Sequence, residues 1–268
     1  MTELWDGLLA CMKLDGPTAD GDFEGKNLEL EYHRLFGGQL LAQFIRAAEL
    51  TCPDKAVKSL HVLFPREGTA DEPVRYEVQR HHEGRTFGSL TVLARQEARG
   101  VIGTASVSVH SVPEPGGVAV QTADPVSGVP GDSAAVDIGM LPFETRTGVD
   151  LDSPEEAPAE FSLWWRTPAA DPALAPALAA YATDLTLIGT ALRAVDGVSQ
   201  RDAQVKFASA VTSHTVWFHQ PFRTDDWLLL RQESPILARD RSFGRGDILT
   251  ADGTLVASYA QEAMVRFR

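Results

Sequence analysis

Only two cysteines, Cys11 and Cys52, occur in 268 residues. Two thiols cannot staple a chain of this length, and no C-x-x-C pair exists. Both therefore read as reduced thiols in a cytosolic setting. Basic residues are scarce as well: 24 Lys and Arg stand against 37 Asp and Glu, a formal net charge of −13. That excludes the basic stripe with which proteins displace counterions from nucleic acid. It does not exclude a small anionic ligand, because exposed charges more than about 8–10 Å away are screened. No uninterrupted apolar run reaches the roughly 18–20 residues of a membrane span. The N-terminus, Met1-Thr2-Glu3-Leu4-Trp5-Asp6, is acidic where a secretory leader is basic. The expectation is a cytoplasmic protein with neither a nucleic-acid nor a membrane partner.

Familiar chemical motifs are missing too. The seven histidines, His33, His61, His81, His82, His110, His214 and His219, show no metal-ligand spacing. His81 and His82 diverge in an extended chain, and His214 and His219 face opposite sides of a strand. There is no G-x-S-x-G elbow, no G-x-G-x-x-G and no phosphate loop. Any chemistry here is expected to use water, with no covalent nucleophile, metal or cofactor.

What is present is a duplication. Arg85-Thr86-Phe87-Gly88 reappears as Arg241-Ser242-Phe243-Gly244. Upstream, Ser59-Leu60-His61-Val62-Leu63-Phe64 is echoed by Ser213-His214-Thr215-Val216-Trp217-Phe218, in the same order and at almost the same offset. Residues 112–135 are rich in Pro and Gly and read as a linker. The predicted organisation is 1–111, linker 112–135, and 136–268. In the first copy, Phe36-Gly37-Gly38-Gln39 opens a helical apolar pattern. Strands are predicted at Ala56–Phe64, Val74–Arg80, Phe87–Arg95 and Val101–His110. In the second, strands are predicted near Met140–Arg146 and Phe161–Arg166, then a helical region over about 173–195. The last four strands are predicted at Ala208–Phe218, Trp227–Glu233, Phe243–Thr250 and Leu255–Phe267. Each copy is a sheet around one helix, an α+β architecture. A pseudo-symmetric body places its site where the halves meet, in residues that one copy has and the other lacks.

Three such residues stand out. Gln261 lies among Leu255, Ala257, Tyr259, Ala263 and Val265 on the apolar face of the last strand. A buried amide needs partners, since leaving it unbonded costs about 1–3 kcal/mol. It either satisfies a nearby backbone group or positions water or substrate. Counting along the strands, its counterpart in copy one is Val107. Asp184 is the only ionisable residue from Leu178 to Leu192. In a helix it shares a side with Leu187, Ile188 and Ala191, and it reads either as an N-cap or as a general base. Its counterpart is Gln39, so only one half is expected to do chemistry. Ser213, on the face of its strand carrying Val211 and Thr215, offers a hydroxyl to a site or serves as a pairing residue. Arg239, Arg241 and Arg245 bracket Ser242-Phe243-Gly244 and form a candidate phosphate-binding group, Arg241, Ser242, Gly244 and Arg245. The alternative is solvated strand ends.

Several strings resemble the acyl-CoA thioesterase II family: Trp217-Phe218-His219-Gln220-Pro221-Phe222, Asp226-Trp227-Leu228-Leu229, Phe243-Gly244-Arg245-Gly246, Asp252-Gly253-Thr254-Leu255-Val256-Ala257-Ser258 and Gln261-Glu262. Phe36-Gly37-Gly38-Gln39 with Gln43, and Phe64-Pro65-Arg66-Glu67-Gly68, are similar to its N-terminal motifs. The resemblance implies a double hotdog fold, with two antiparallel sheets each around a long helix in one continuous pseudo-dimeric sheet. It also implies hydrolysis of an acyl-CoA to a free acid and CoA. Its catalytic set is an Asp, a hydroxyl and a Gln; the first and last carry over to Asp184 and Gln261. The family's Ser or Thr falls on Val211. Ser213 is the expected partial substitute, with Thr212 the alternative if the strand is bulged. A hydratase of this fold would need a His near a hotdog helix, and His33 precedes the first. A non-catalytic acyl-CoA binder is the rival of another class. Sheets of this kind join edge to edge, so a homodimer or higher even assembly is expected.

Overall fold

The computed structural model describes residues 2–30, 34–112, 119–124, 126 and 133–268. The chain divides into two compact units that are not two contiguous stretches. The first comprises Met1–Val120, Ala173–Ala182 and Thr215–Phe218; the second comprises Gln121–Pro172, Thr183–His214 and His219–Arg268. Much of the Pro/Gly-rich linker, including Pro113 through Val118, lies outside the described residues, as does His33.

The first unit contains α1 (Thr2–Cys11), β1 (Phe23–Gly25), α2 (Gly37–Thr51), β2 (Ala56–Leu63), β3 (Val74–Glu83), β4 (Phe87–Gln96) and β5 (Gly100–His110). Its strand order is β1-β3-β4-β5-β2, antiparallel throughout. Strict alternation of buried and less buried residues along β4 gives the sheet one apolar face, and α2 packs on it. Leu40, Leu41, Phe44 and Ile45 of α2 are buried, each worth about 1.5–3 kcal/mol relative to exposure. The Phe44 ring meets Tyr76 edge-on at 5.5 Å. The missing side chain of Gly103 makes room for that ring.

The second unit takes β6 (Ala134–Val136), β7 (Glu144–Thr147), β8 (Glu160–Arg166), α4 (Leu187–Leu192), β9 (Phe207–Phe218) as far as His214, β10 (Leu228–Ala238), β11 (Arg241–Thr250) and β12 (Leu255–Phe267). Here the order is β9-β12-β11-β10-β8-β7-β6, and α4 packs on β8, β10, β11 and β12. The two units make the fold an α+β double hotdog, with each predicted strand found within a few residues of its expected ends. The register corrects one detail. Gly88 pairs with Val109 as Gly244 pairs with Gln261, so the counterpart of Gln261 is Val109 and not Val107. Each hairpin carries one irregularity of the same size, and the pairing of β4 with β5 runs further past the glycine than that of β11 with β12, which shifts the count made from the strand starts.

The helix expected over 173–195 is not continuous. A 3-10 turn at Pro172–Leu174 leads into α3 (Ala175–Thr183), the chain bends at residues 184–186, and α4 follows. Pro172–Leu192 is long and apolar enough by composition to cross a membrane, which a search for uninterrupted apolar runs overlooks. In this fold 72% of that window is buried inside the protein, as expected of a core helix.

Gly38, in the first turn of α2, is held by two neighbours. An added Cβ would lie 2.6 Å from Phe36 Cε1 and 2.6 Å from the Tyr181 carbonyl oxygen. Phe36 is itself fixed edge-on against the Tyr181 ring at 5.1 Å. Because one obstacle is backbone, a rotamer change cannot relieve it. Gly38→Ala is therefore expected to cost about 1–3 kcal/mol of stability, read as a lowered urea midpoint. An unchanged midpoint would show that α2 shifts freely at this point.

Candidate active site

Asp184 sits neither inside a helix nor at an N-cap. It occupies the bend between α3 and α4, and the residue capping α4 is Thr186, without a side-chain cap bond. The sheet pins this bend at two points. Gln261, at the middle of β12, donates from Nε2 to Asp184 Oδ1 at 2.8 Å and to the Asp184 carbonyl at 3.2 Å. Gln232 on β10 donates to the hydroxyls of Thr186 at 2.9 Å and Thr190 at 2.6 Å, and its Oε1 accepts from Tyr259 at 2.7 Å. A helix gives up backbone hydrogen bonds where it breaks. Here side chains from the sheet hold the broken turn.

A third group completes the cluster. His214 on β9 is fully buried. Its Nδ1 lies 3.1 Å from Gln261 Nε2, and its Nε2 lies 2.9 Å from Thr183 Oγ1 at the end of α3. The ring stacks on Tyr259, 6.2 Å between centroids and 9° from parallel. Burial pushes its pKa down to about 3, so the imidazole is neutral at physiological pH. The approach of its Nδ1 to Asp184 Oδ1 at 3.8 Å is then not an ion pair. An amide nitrogen only donates. His214 Nδ1 must therefore accept from Gln261, which leaves the ring proton on Nε2, facing Thr183. Sequence reasoning missed His214, Thr183 and Gln232. A histidine between Thr212 and Val216, on the face opposite Ser213, was the available signal.

The hydroxyl expected at Ser213 does not join this cluster. Phe207 packs with Leu192 and Val265, and His214 also faces the helix side, seven residues later. An odd interval between two residues on one face means that β9 changes phase between them. The bulge considered for Thr212 therefore has support, but Thr212 Oγ1 donates to the Glu262 carbonyl at 3.0 Å. Glu262 occupies the face of β12 opposite Gln261. Among the described residues neither Ser213 nor Thr212 bonds Asp184 or Gln261.

The group Arg241, Ser242, Gly244 and Arg245 does not form one surface either, because alternate residues of β11 face opposite ways. Arg241 and Arg245 are exposed and pair with Glu262 at 3.4 Å and Glu233 at 2.7 Å. Ser242 is buried on the other face. A Cβ on Gly244 would lie 2.6 Å from Leu187 Cδ2, and one on Gly246 would lie 2.5 Å from the Tyr259 hydroxyl. These glycines seat α4 and Tyr259 closely on the sheet at the strand positions paired with Gln261 and Tyr259. Gln39, the counterpart of Asp184, has a structural assignment. Its amide donates to Asn27 and Gln43 and accepts from Leu28 N–H at 2.8 Å.

Comparison with known proteins shows the family. The family model for the acyl-CoA thioesterase N-terminal domain matches residues 30–110, and that for the acyl-CoA thioesterase C-terminal domain matches residues 112–265. The chain is 31% identical to acyl-CoA thioesterase 2 of Haemophilus influenzae, over 100% of this chain and 99% of that one. It is 28% identical to mouse acyl-coenzyme A thioesterase 8, covering 88% and 81%. Among solved structures, an acyl-CoA thioesterase II from Mycobacterium marinum superposes with a TM-score of 0.80 at 28% identity, covering 97% and 98%.

The buried neutral His214 couples stability to pH. Unfolded, the ring takes up a proton below about 6.5; folded, it does so only near 3. Its contribution is complete above pH 6.5 and falls as the pH drops toward 3, by about 1.4 kcal/mol per unit. Glu49 works the other way. Burial raises its pKa from 4.5 to about 7, so it adds stability as the pH falls from 7 to 4.5. The two slopes oppose each other in the whole protein. The difference between wild type and His214→Asn isolates the histidine: wild type should lose stability faster between pH 6.5 and 4.5, measured by urea unfolding at each pH. Parallel curves would contradict a neutral buried imidazole.

Proposed function

We propose a catalytic assignment for this chain, which belongs to the acyl-CoA thioesterase family: Asp184 and Gln261 hold and activate the water that hydrolyses the thioester. The chain is an acyl-CoA hydrolase, and its products are a carboxylic acid and CoA. The observation that carries the assignment is the 2.8 Å bond from Gln261 Nε2 to Asp184 Oδ1. It joins the one carboxylate in an apolar helical stretch to the one amide on the apolar face of β12.

The chemistry follows from the groups. A carboxylate that accepts from an amide still has lone pairs to take a proton from water. The water oxygen bonds to the thioester carbonyl carbon as Asp184 takes that proton. The carbon–sulfur bond of the tetrahedral intermediate then breaks, and the proton leaves with the thiolate as CoA–SH. No covalent acyl-enzyme is needed. The duplicated half carries no second copy of the machinery, because Gln39 and Val109 stand where Asp184 and Gln261 would be. No observation favours a non-catalytic acyl-CoA binder. A cytoplasmic location and a homo-oligomeric state belong to the same reading. The buried, unpaired thiols of Cys11 and Cys52 support the former.

Asp184→Asn is expected to lower kcat by about 10²–10⁴-fold while leaving the circular dichroism and melting temperature near wild type. Thiol release followed with a chromogenic reagent over a series of acyl-CoA chain lengths measures it. Unchanged kcat on every substrate would remove Asp184 as the base. Replacing Arg241 and Arg245 together by Ala is expected to move KM by less than about threefold, since surface ion pairs contribute little. A larger rise in KM would show that these side chains leave Glu262 and Glu233 to hold the CoA phosphates.

A further inference from the structure

His214 is a buried titratable group that hydrolysis by Asp184 and Gln261 leaves without a task. A histidine taken wholly out of water must be compensated, and this one is, at both ring nitrogens. Thr183 Oγ1 lies 2.9 Å from Nε2, and Gln261 Nε2 lies 3.1 Å from Nδ1. The Gln261 amide has two N–H groups for three acceptors, the Asp184 carbonyl, Asp184 Oδ1 and His214 Nδ1. All three claim its nitrogen side. Among the described residues no donor reaches its Oε1.

We propose that His214 is a positioning residue: its bare Nδ1, with the ring proton on Nε2 and accepted by Thr183, fixes the Gln261 amide with nitrogen toward Asp184 and oxygen toward the attacking water. This rests on the catalytic reading above and adds a residue to it. While Asp184 is charged, its Oδ1 and its backbone carbonyl both hold the NH₂ side of the amide. Once it has taken the proton from water it is neutral and can donate as well as accept, so the hold of its side chain on that NH₂ weakens. The His214 lone pair does not weaken, and the amide keeps its orientation through the turnover. The opposite tautomer would point Nδ1–H at the Gln261 NH₂, donor against donor, and turn the amide over. The Gln261 NH₂, turned toward Asp184, selects the tautomer, Thr183 accepts the Nε2 proton that results, and burial of the ring keeps it neutral. Stacking against Tyr259, whose hydroxyl is tied to Gln232, holds the plane of the ring.

Two substitutions separate positioning from packing. The Asn amide oxygen can stand where Nδ1 stands, whereas the Gln amide reaches only as far as Nε2. His214→Asn is expected to lose less than about fivefold in kcat. His214→Gln, which keeps a partner for Thr183 and abandons Gln261, should lose about 10²-fold, the scale of a misplaced catalytic group, with KM unchanged in both. Thr183→Val should fall between them, and Thr183→Ser should restore it. A merely structural histidine predicts the reverse order, and His214→Gln equalling or exceeding His214→Asn overturns the proposal. An independent readout needs no variant. Long-range ¹H–¹⁵N correlation spectra of the wild-type protein at pH 7 should show His214 neutral with its proton on Nε2. A proton on Nδ1, or an imidazolium, overturns it. Asp184→Asn serves as the separate control: if that variant stays active the catalytic reading fails, whereas the tautomer spectrum still reports on His214.

Discussion

The structure depends on one broken helix held by the sheet beneath it. The apolar stretch from Pro172 to Leu192 would bury more backbone hydrogen bonds as a single helix than as α3 and α4. It breaks at Asp184 because the sheet offers replacements there. Gln261 ties the Asp184 side chain and carbonyl, and Gln232 ties Thr186 and Thr190. Each amide is buried on the inner face of its strand, where an unmade bond costs about 1–3 kcal/mol. Satisfying the amides and holding the bend are the same interactions. The bend is also where a carboxylate can be buried to 5% exposure without being locked into a helical surface.

The two copies of the unit have diverged through this device. In the first, α2 is unbroken from Gly37 to Thr51, and its buried amides, Gln39 and Gln43, bond to Asn27, Tyr76 and the loop backbone. Those bonds consume the polar capacity of the helix in structure. In the second, the helix carries an acid in place of an amide, and the complementary amide has moved to the sheet. An amide pair that satisfies itself is inert. A carboxylate facing an amide retains lone pairs for a proton, and that difference separates a scaffold from a reacting site.

The glycines of the repeated Arg-x-Phe-Gly segment show how a motif can be informative for a reason other than the obvious one. Beside three arginines they suggest a phosphate cradle. In the fold, Gly244 and Gly246 face inward and clear space for Leu187 and the Tyr259 ring, while Arg241 and Arg245 face outward to Glu262 and Glu233. The period of two along a strand separates residues that look adjacent in the sequence. The same period separates Ser213 from His214 on β9, while the Thr212 hydroxyl is spent on the Glu262 carbonyl.

Duplication, the strand spans, the apolar face of β12 and the singular positions of Asp184 and Gln261 were all readable from the chain. They rest on local periodicity and on the cost of polar groups in apolar surroundings, which any stretch of sequence displays by itself. The break in the helix, the register that pairs Val109 with Gly88, and the convergence of His214, Thr183 and Gln232 on the bend emerged only in three dimensions. Those features depend on which strand lies beside which and on the phase of each at the point of contact. Neither quantity is carried by a residue's neighbours in the chain, since β9, β10 and β12 approach the bend from segments separated by dozens of positions.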